Sequence, residues 1–459
     1  MISKTMKKLF LILIAVLIGY FFIFYFIGKG NLAFTNLVLS SEQKNIIKKF
    51  IFPYKKISQQ EVRISALTAR ISRLNLISSE LAFKNRLENI VIDKVENIKL
   101  SKNIIMKKYK IVNGFYTAID GHRPGGYIDF HQNNLIVLSS RGILGYNSNL
   151  NDKNYFKQIR NNINNFIGFS HFSRSMMYTL RDLYIHEDKI FISYMERIKD
   201  NCSNVGVIYG SMNYENIDFK KLFSSKECVM ENGTSQSGGR ITNFNDNHVL
   251  LSVGEFNRME LAQDKQSING KIIRININNS DYEIISMGHR NPQGLYFDKE
   301  NNFILETEHG PHGGDEINII EVDNININQP LNYGWAMASA GDHYPSAKMI
   351  HGSEEVYKKF PLYKSHSEHG FIEPLKSFVP SIGISEITKI GNNRYVLGSM
   401  GREREGDKSL YFFELNSKKK LINLEKVKVF DRVRDLIFNE KKLYLFFENP
   451  ISIGVISLN

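Results

Sequence analysis

The sequence predicts an all-β fold, a six-bladed β-propeller, behind an N-terminal transmembrane helix and a helical stalk. Three observations lead there. Nineteen uncharged residues stand near the N-terminus, an apolar stripe at helical spacing follows, and a strand–turn–strand pattern then recurs six times. Together they divide the 459 residues into an anchor at 1–30, a stalk at 31–110 and a propeller at 111–459.

The anchor is Leu9 to Ile27, LFLILIAVLIGYFFIFYFI. As a helix rising about 1.5 Å per residue it is roughly 28 Å long, enough to cross a bilayer core. Lys4, Lys7 and Lys8 precede it and only Lys29 follows closely. The positive-inside rule then places the N-terminus in the cytoplasm and the body outside, periplasmic or extracellular. A cleaved signal peptide would have a shorter apolar region and an A-x-A-like site, which this segment lacks.

From residue 57 to about 98 the chain reads as helical. Ile64, Leu67, Ile71 and Leu74 are spaced by threes and fours, and Leu81, Leu87, Val91 and Val95 continue the stripe with a shifted phase. Such a stalk packs on its own body or self-associates; the heptads are too few to define a coiled coil.

The charge follows the same division. Residues 1–110 hold 20 basic and 6 acidic side chains, a net of +14, while the remainder holds 39 and 41, a net of −2. The overall +12 therefore belongs to the extension, and the body offers no basic face to nucleic acid. Hydrophobic residues at 42% and charged residues at 23% exclude a disordered chain.

The repeat appears as YIDFHQNNLIVLSS (from Tyr127), DLYIHEDKIFISY (Asp182) and RITNFNDNHVLLSVG (Arg240). It returns as GLYFDKENNFILETE (Gly294), EITKIGNNRYVLGSM (Glu386) and DLIFNEKKLYLFFE (Asp435). The second strands begin at Leu135, Ile190, Val249, Phe303, Tyr395 and Leu443, at intervals of 55, 59, 54, 92 and 48 residues. A unit this small cannot bury its own apolar face, so the copies pack on one another, and radial closure removes exposed sheet edges. The long interval marks insertions at about 309–380, where loops on a rigid scaffold carry function.

Three runs in this region concentrate unusual residues: GHRNPQGLYFD (Gly288–Asp298), ETEHGPHGGDEINII (Glu306–Ile320) and NYGW (Asn332–Trp335). In this order they resemble the signature of the glucose/sorbosone dehydrogenase family, six-bladed propellers that oxidise sugars with pyrroloquinoline quinone (PQQ) and calcium. FVPSIGIS (Phe378–Ser385) and YVLGSMGRER (Tyr395–Arg404) are similar to that family's last blades. The resemblance covers about 110–459 and is nearest to the periplasmic aldose sugar dehydrogenase branch.

The resemblance implies roles that suit the chemistry. PQQ carries three carboxylates, which need fixed cations, and a planar guanidinium pairs with a carboxylate bidentately. Arg290, beside Asn291, stands at the position of the family's cofactor-binding arginine; Arg402 and Arg404 would serve the other carboxylates. Calcium takes oxygen ligands, main-chain carbonyls included. The Gly310–Pro311 carbonyls would hold the cofactor's calcium, and Glu316 with the Tyr333 carbonyl a second, structural one. VDNININQPL lengthens the span between those two beyond the family's spacing. His309 and His312, with Asp315, form a weaker zinc pattern.

Two departures bear on activity. The family's general base is a histidine four residues before the arginine of a GR motif. In TSQSGGRI that arginine is Arg240, and the residue four before it is Gln236. A neutral amide cannot accept a proton near pH 7, and loss of a positioned base costs about 10²–10⁴ in rate. Where the family carries a Gly-rich run, YTLRDLYIHEDK has Arg181–Asp182; its His186 falls in a hairpin turn at the wrong end for a central site. Three readings follow: a membrane-anchored, PQQ-dependent oxidoreductase acting slowly on an aldose, with water or Glu255 recruited as base; a silent propeller that binds carbohydrate or a partner protein; or a structural envelope protein in which the stalk is the functional part.

Cys202 and Cys228 flank an outer loop assigned to the third unit. Outside the cytoplasm they could pair, closing a loop worth roughly 3–4 kcal/mol, the alternative being two free buried thiols.

Overall fold

The computed structural model describes residues 12–16, 19, 41–115, 125–167, 180–230, 235–344, 354–401 and 407–458. Most of the expected anchor, and both Arg402 and Arg404, lie outside them. Among the described residues no helix is long and apolar enough to cross a membrane. Two compact units divide the chain, residues 1–75 and 76–459.

A helix spans Ser41–Asn85. Along its first unit Val62, Ile64, Leu67, Ile71 and Leu74 are exposed. It stops earlier than the periodicity predicts: Leu87 takes a left-handed backbone, and Ile90–Lys99 and Ile105–Ile111 are strands. The stripe of Val91 and Val95 was therefore not helical. IVIDKVENIK is rich in β-branched residues, which favour a pleated surface. The last turns of the helix belong to the second unit. There Phe83 packs with Ile90 and Phe156 in the core, and Glu80 pairs with Arg141 at 2.7 Å. Burial pushes the Glu80 carboxyl up to about 7 despite that partner.

The rest is a propeller-like ring of antiparallel sheets. Blade 1 runs from Gly126–His131 out to Tyr155–Gln158, blade 2 from Leu180–His186 to Lys220–Ser224, and blade 3 from Gly238–Asn245 to Tyr282–Met287. Blade 4 runs from Pro292–Asp298 to Lys376–Phe378, blade 5 from Ile384–Gly391 to Leu421–Lys428, and blade 6 begins with Val433–Asn439. Second strands start at Asn134, Lys189, His248, Phe303, Arg394 and Lys442, each within a residue of the position the repeat gives. The innermost strands neighbour one another all the way round, blade 6 against blade 1 included. Blade 6 takes its fourth strand, Ile105–Ile111, from the other end of the chain, paired with Ile451–Ser457, and Ile90–Lys99 beyond it joins the edge of blade 1 at Tyr155–Phe156. The boundary the sequence suggests, at residue 110, puts nearly all of Ile105–Ile111 in the stalk. Its Met106, Tyr109 and Ile111 are buried because it lies between Ile90–Lys99, its hairpin partner, and Ile451–Ser457, more than 300 residues away, and no local pattern records that second contact.

A ring of buried charges holds the blades together. Asp435 accepts the backbone N–H of Ile128 at 2.8 Å, Asp129 that of Ile185, and Asp182 that of Ile241 at 2.8 Å, so blade 6 is tied to 1, 1 to 2 and 2 to 3. Glu386 accepts the N–H of Leu295, tying blade 5 to 4. Arg240 of blade 3 is the hub. Its Nη1 lies 2.8 Å from Asp182, 2.9 Å from Asp435 and 3.0 Å from Glu386, while Nε and Nη2 donate to the carbonyls of Gln293 and Arg434. Arg181–Asp182 is thus no gap in a motif: Asp182 supplies one arm of this hub, and the Arg181 Cβ fills the space where Gly239 lacks one.

Cys202 and Cys228 are disulfide-bonded, with Cα atoms 5.2 Å apart. They belong to blade 2 rather than to the third unit, because Cys202 opens its third strand and pairs there with Met230.

Candidate functional site

One end of the ring gathers the loops that precede the innermost strands and follow the second strands. Between blades 3 and 4 these loops bring Gln236, Glu255, Arg290, His309 and Gly310 together. Backbone bonds fix the arrangement. Gly254 N donates to Ser237 O at 2.9 Å, Phe256 N to Gln236 O at 3.0 Å, and Glu255 N to Arg290 O at 2.9 Å. Residue 254 must be glycine, since a Cβ there would stand 2.1 Å from Gln236 O. Gln236, Phe256 and Asn257 all adopt left-handed φ near 60° (59°, 56° and 59°), a conformation that costs free energy outside glycine and clusters at ligand sites.

Arg290 is buried. Its Nη1 donates to the carbonyls of His309 (2.9 Å) and Gly310 (2.6 Å), its backbone N–H bonds Glu308, and its guanidinium lies 5.2 Å from the Trp335 ring. Its Nε has no partner, and among the described residues no carboxylate forms an ion pair with it. The Gln236 amide bridges Arg290 and Glu255. The orientation that satisfies both puts its oxygen 2.8 Å from Nη2 and its nitrogen against Glu255 Oε1. Glu255 Oε2 has no partner among the described residues. Burial pushes the Glu255 carboxyl up to about 8, against the pull of Arg290.

Other expected site residues are more occupied. Asn291 accepts from Gly238 N–H (3.3 Å) and Gln293 (3.0 Å) and reaches His309 Nδ1 at 3.3 Å, so it braces the loops. The Gly310 carbonyl already accepts from Arg290, which puts a positive charge beside one of the two carbonyls expected to hold calcium. The zinc pattern is not assembled. Asp315 spends its oxygens on the N–H groups of Gly310, Ile382, Gly383 and Ile384, and no metal-competent cluster among the described residues contains His309 or His312.

Glu316 is buried with Glu306 and Glu308 behind the loops. Burial, then the neighbouring Glu308, pushes the carboxyls of Glu306 and Glu316 well above their usual range. His289 lies 3.4 Å from Glu308 and stacks on Tyr333 at 5.0 Å between centroids, and His366 lies 3.7 Å from Glu316. Among the described residues no lysine or arginine forms an ion pair with these three acids. His289, Glu306 and His366 were not singled out from sequence. The clue was present, since two glutamates flank Thr307 in a strand otherwise apolar.

Fold and site define a propeller whose loops, at one end, surround a buried, anion-ready arginine beside a buried carboxyl. The chain belongs to the Glucose / Sorbosone dehydrogenase family, whose model matches residues 178–450. It is 29% identical over 184 residues to aldose sugar dehydrogenase YliI of Escherichia coli, covering 37% of this chain and 47% of that protein. The chain thus spans about half the length of that curated relative. Among solved structures, the soluble aldose sugar dehydrogenase of Escherichia coli in its apo form superposes with a TM-score of 0.57 at 20% identity, over 73% of this chain and 96% of the other. The PQQ-bound aldose sugar dehydrogenase of Streptomyces coelicolor gives 0.51 at 17% identity, over 73% and 94%. At such identities the superpositions speak for the fold.

Proposed function

We propose that this protein is a membrane-anchored quinoprotein that oxidises an aldose at C1, slowly at neutral pH. The observation that carries the reading is Arg290. A buried guanidinium with a free Nε and no ion-pair partner among the described residues suits a carboxylate-bearing cofactor, because an unpaired buried charge is costly until an anion meets it. Bound there, PQQ would supply the two-electron oxidant. This chain would orient it through Arg290 and keep water away with Trp335. Gln236 supports the slow rate, since an amide stands where a base is needed. It also keeps alive the silent, carbohydrate- or partner-binding alternative.

The test uses the single tryptophan of the chain, Trp335, 5.2 Å from Arg290. Titration with PQQ and calcium should change its fluorescence saturably, and dye-linked turnover on a panel of aldoses should follow. An unchanged signal with no turnover would leave the binding propeller as the reading.

Calcium is proposed at Glu316 and Tyr333 with more support than at Gly310–Pro311. Three buried carboxylates without a lysine or arginine partner among the described residues favour a divalent ion by charge alone. Chelation should then lower the melting temperature by mass action on the native state, and Glu316→Ala should remove that sensitivity. A melting curve indifferent to chelator would mean that the acids are held protonated instead.

The anchor and topology are proposed from Leu9–Ile27 and the flanking lysines. Protease added to intact spheroplasts should digest the propeller and spare an N-terminal tag. A protected propeller would reverse the assignment.

A further inference from the structure

We propose that Glu255 is the group that accepts the substrate hydroxyl proton, with Gln236 as the positioning residue between it and Arg290. This rests on the sugar-oxidising reading above. Three features of the geometry carry it. Glu255 is fully buried at the site, on backbone pinned to Arg290. Its Oε1 meets the Gln236 amide, while Oε2 is a buried acceptor with no partner among the described residues. Gln236 itself has no titratable proton, yet it can hold a hydroxyl or one bridging water against that oxygen, within the reach that proton transfer needs.

The charged groups that face Glu255 come from each packed element. Arg290 approaches from the loop before blade 4 and favours the carboxylate. Glu260, on the short helix Met259–Gln263, disfavours it and is itself engaged by Arg258 at 2.6 Å. The backbone N–H groups of Asn257 and Arg258 favour the charged form. Burial outweighs these and sets the value near 8. A carboxyl held there is mostly protonated at neutral pH, so the base form grows as pH rises.

In the step, the C1–H bond breaks and the hydrogen leaves with its electron pair, for which a bound quinone would be the two-electron oxidant. C1–O becomes a carbonyl, giving the lactone, and the hydroxyl proton passes to the Glu255 carboxylate. The sugar is oxidised by two electrons, which the bound cofactor would take up, and the proton held by Glu255 is released to that cofactor or to solvent. Glu255 is then ionised again.

The test has two readouts on the full chain. Without cofactor or sugar, the Trp335 fluorescence should titrate with a midpoint near 8, and Glu255→Gln should abolish that transition. With PQQ bound, kcat should rise about tenfold between about pH 7 and about pH 9, as expected for a base of this pKa. Glu255→Gln should lower kcat by about 10²-fold and flatten the profile, with KM nearly unchanged. Glu255→Asp, which keeps the carboxylate, should retain the slope if the glutamine variant fails to fold. A glutamine variant as active as wild type, or an aspartate variant without the slope, overturns the proposal. So does wild-type protein that binds PQQ, by Trp335 quenching, but turns over nothing at high pH. Absence of PQQ binding overturns the reading beneath it, and the proposal with it.

Discussion

Gln236→His is expected to raise aldose turnover at neutral pH by about two orders of magnitude, the usual worth of a positioned base. The new imidazole would stand where the amide now lies, against Glu255 Oε1 on one side and 2.8 Å from the Arg290 Nη2 position on the other. Glu255, mostly protonated at neutral pH, gives the charged ring little support and Arg290 opposes it, so the gain should titrate at or below the ordinary histidine range. The pH optimum should move down from the value that Glu255 dictates. The substitution must also accept the left-handed backbone at 236, where histidine is tolerated better than a β-branched residue. Stopped-flow and steady-state dye reduction across pH measure both effects. Rapid wild-type turnover at pH 7, or no gain in a variant that still binds PQQ, would refute the placement of residue 236 over C1.

Arg240→Met is expected to cost about 5 kcal/mol, at the upper end for breaking a buried ion pair. One cation serves three buried carboxylates, Asp182, Glu386 and Asp435, and its loss leaves none of them compensated. The deficit depends on pH with a definite sign. Burial raises Asp182 to about 7 and Glu386 to about 8 in the folded protein, above their unfolded values. The native state therefore binds more protons, and stability falls as pH rises through that window. Without Arg240 both carboxyls rise further, so the variant suffers most at about pH 8 and least near pH 5, where they are neutral. Thermal melts should show a drop of roughly 6 °C at the higher pH, narrowing as pH falls. A deficit that does not change with pH would mean that Arg240 acts only through its two carbonyl bonds.

The hub itself was partly legible. Four of the six repeat copies begin with a charged residue: Asp182, Arg240, Glu386 and Asp435. Their common place at the head of an inner strand was visible, but not that all four meet at the axis. The hairpins were more legible still. A strand pair joined by a tight turn is local, and Gln132, Glu187, Asn302 and Asn393 take the left-handed turn conformation where the polar turn of the repeat predicts a break. Arg290, Gly310 and Glu316 could be singled out because they lie in dense runs of unusual residues.

By itself the sequence determined the all-β class, the number of strand pairs and the long insertion after the fourth pair, because each is written in spacing along the chain, and its motifs pointed to the family. Tertiary structure alone decided four things: that Ile105–Ile111 closes blade 6, that the helix stops at Asn85, that Gly310 is already bonded by Arg290, and that Glu255 is the unpartnered acid beside Gln236. The physical reason is common to them. Burial and charge pairing depend on which distant segments meet when the ring closes, and the same carboxyl is an ordinary surface acid or a base near 8 according to that closure alone.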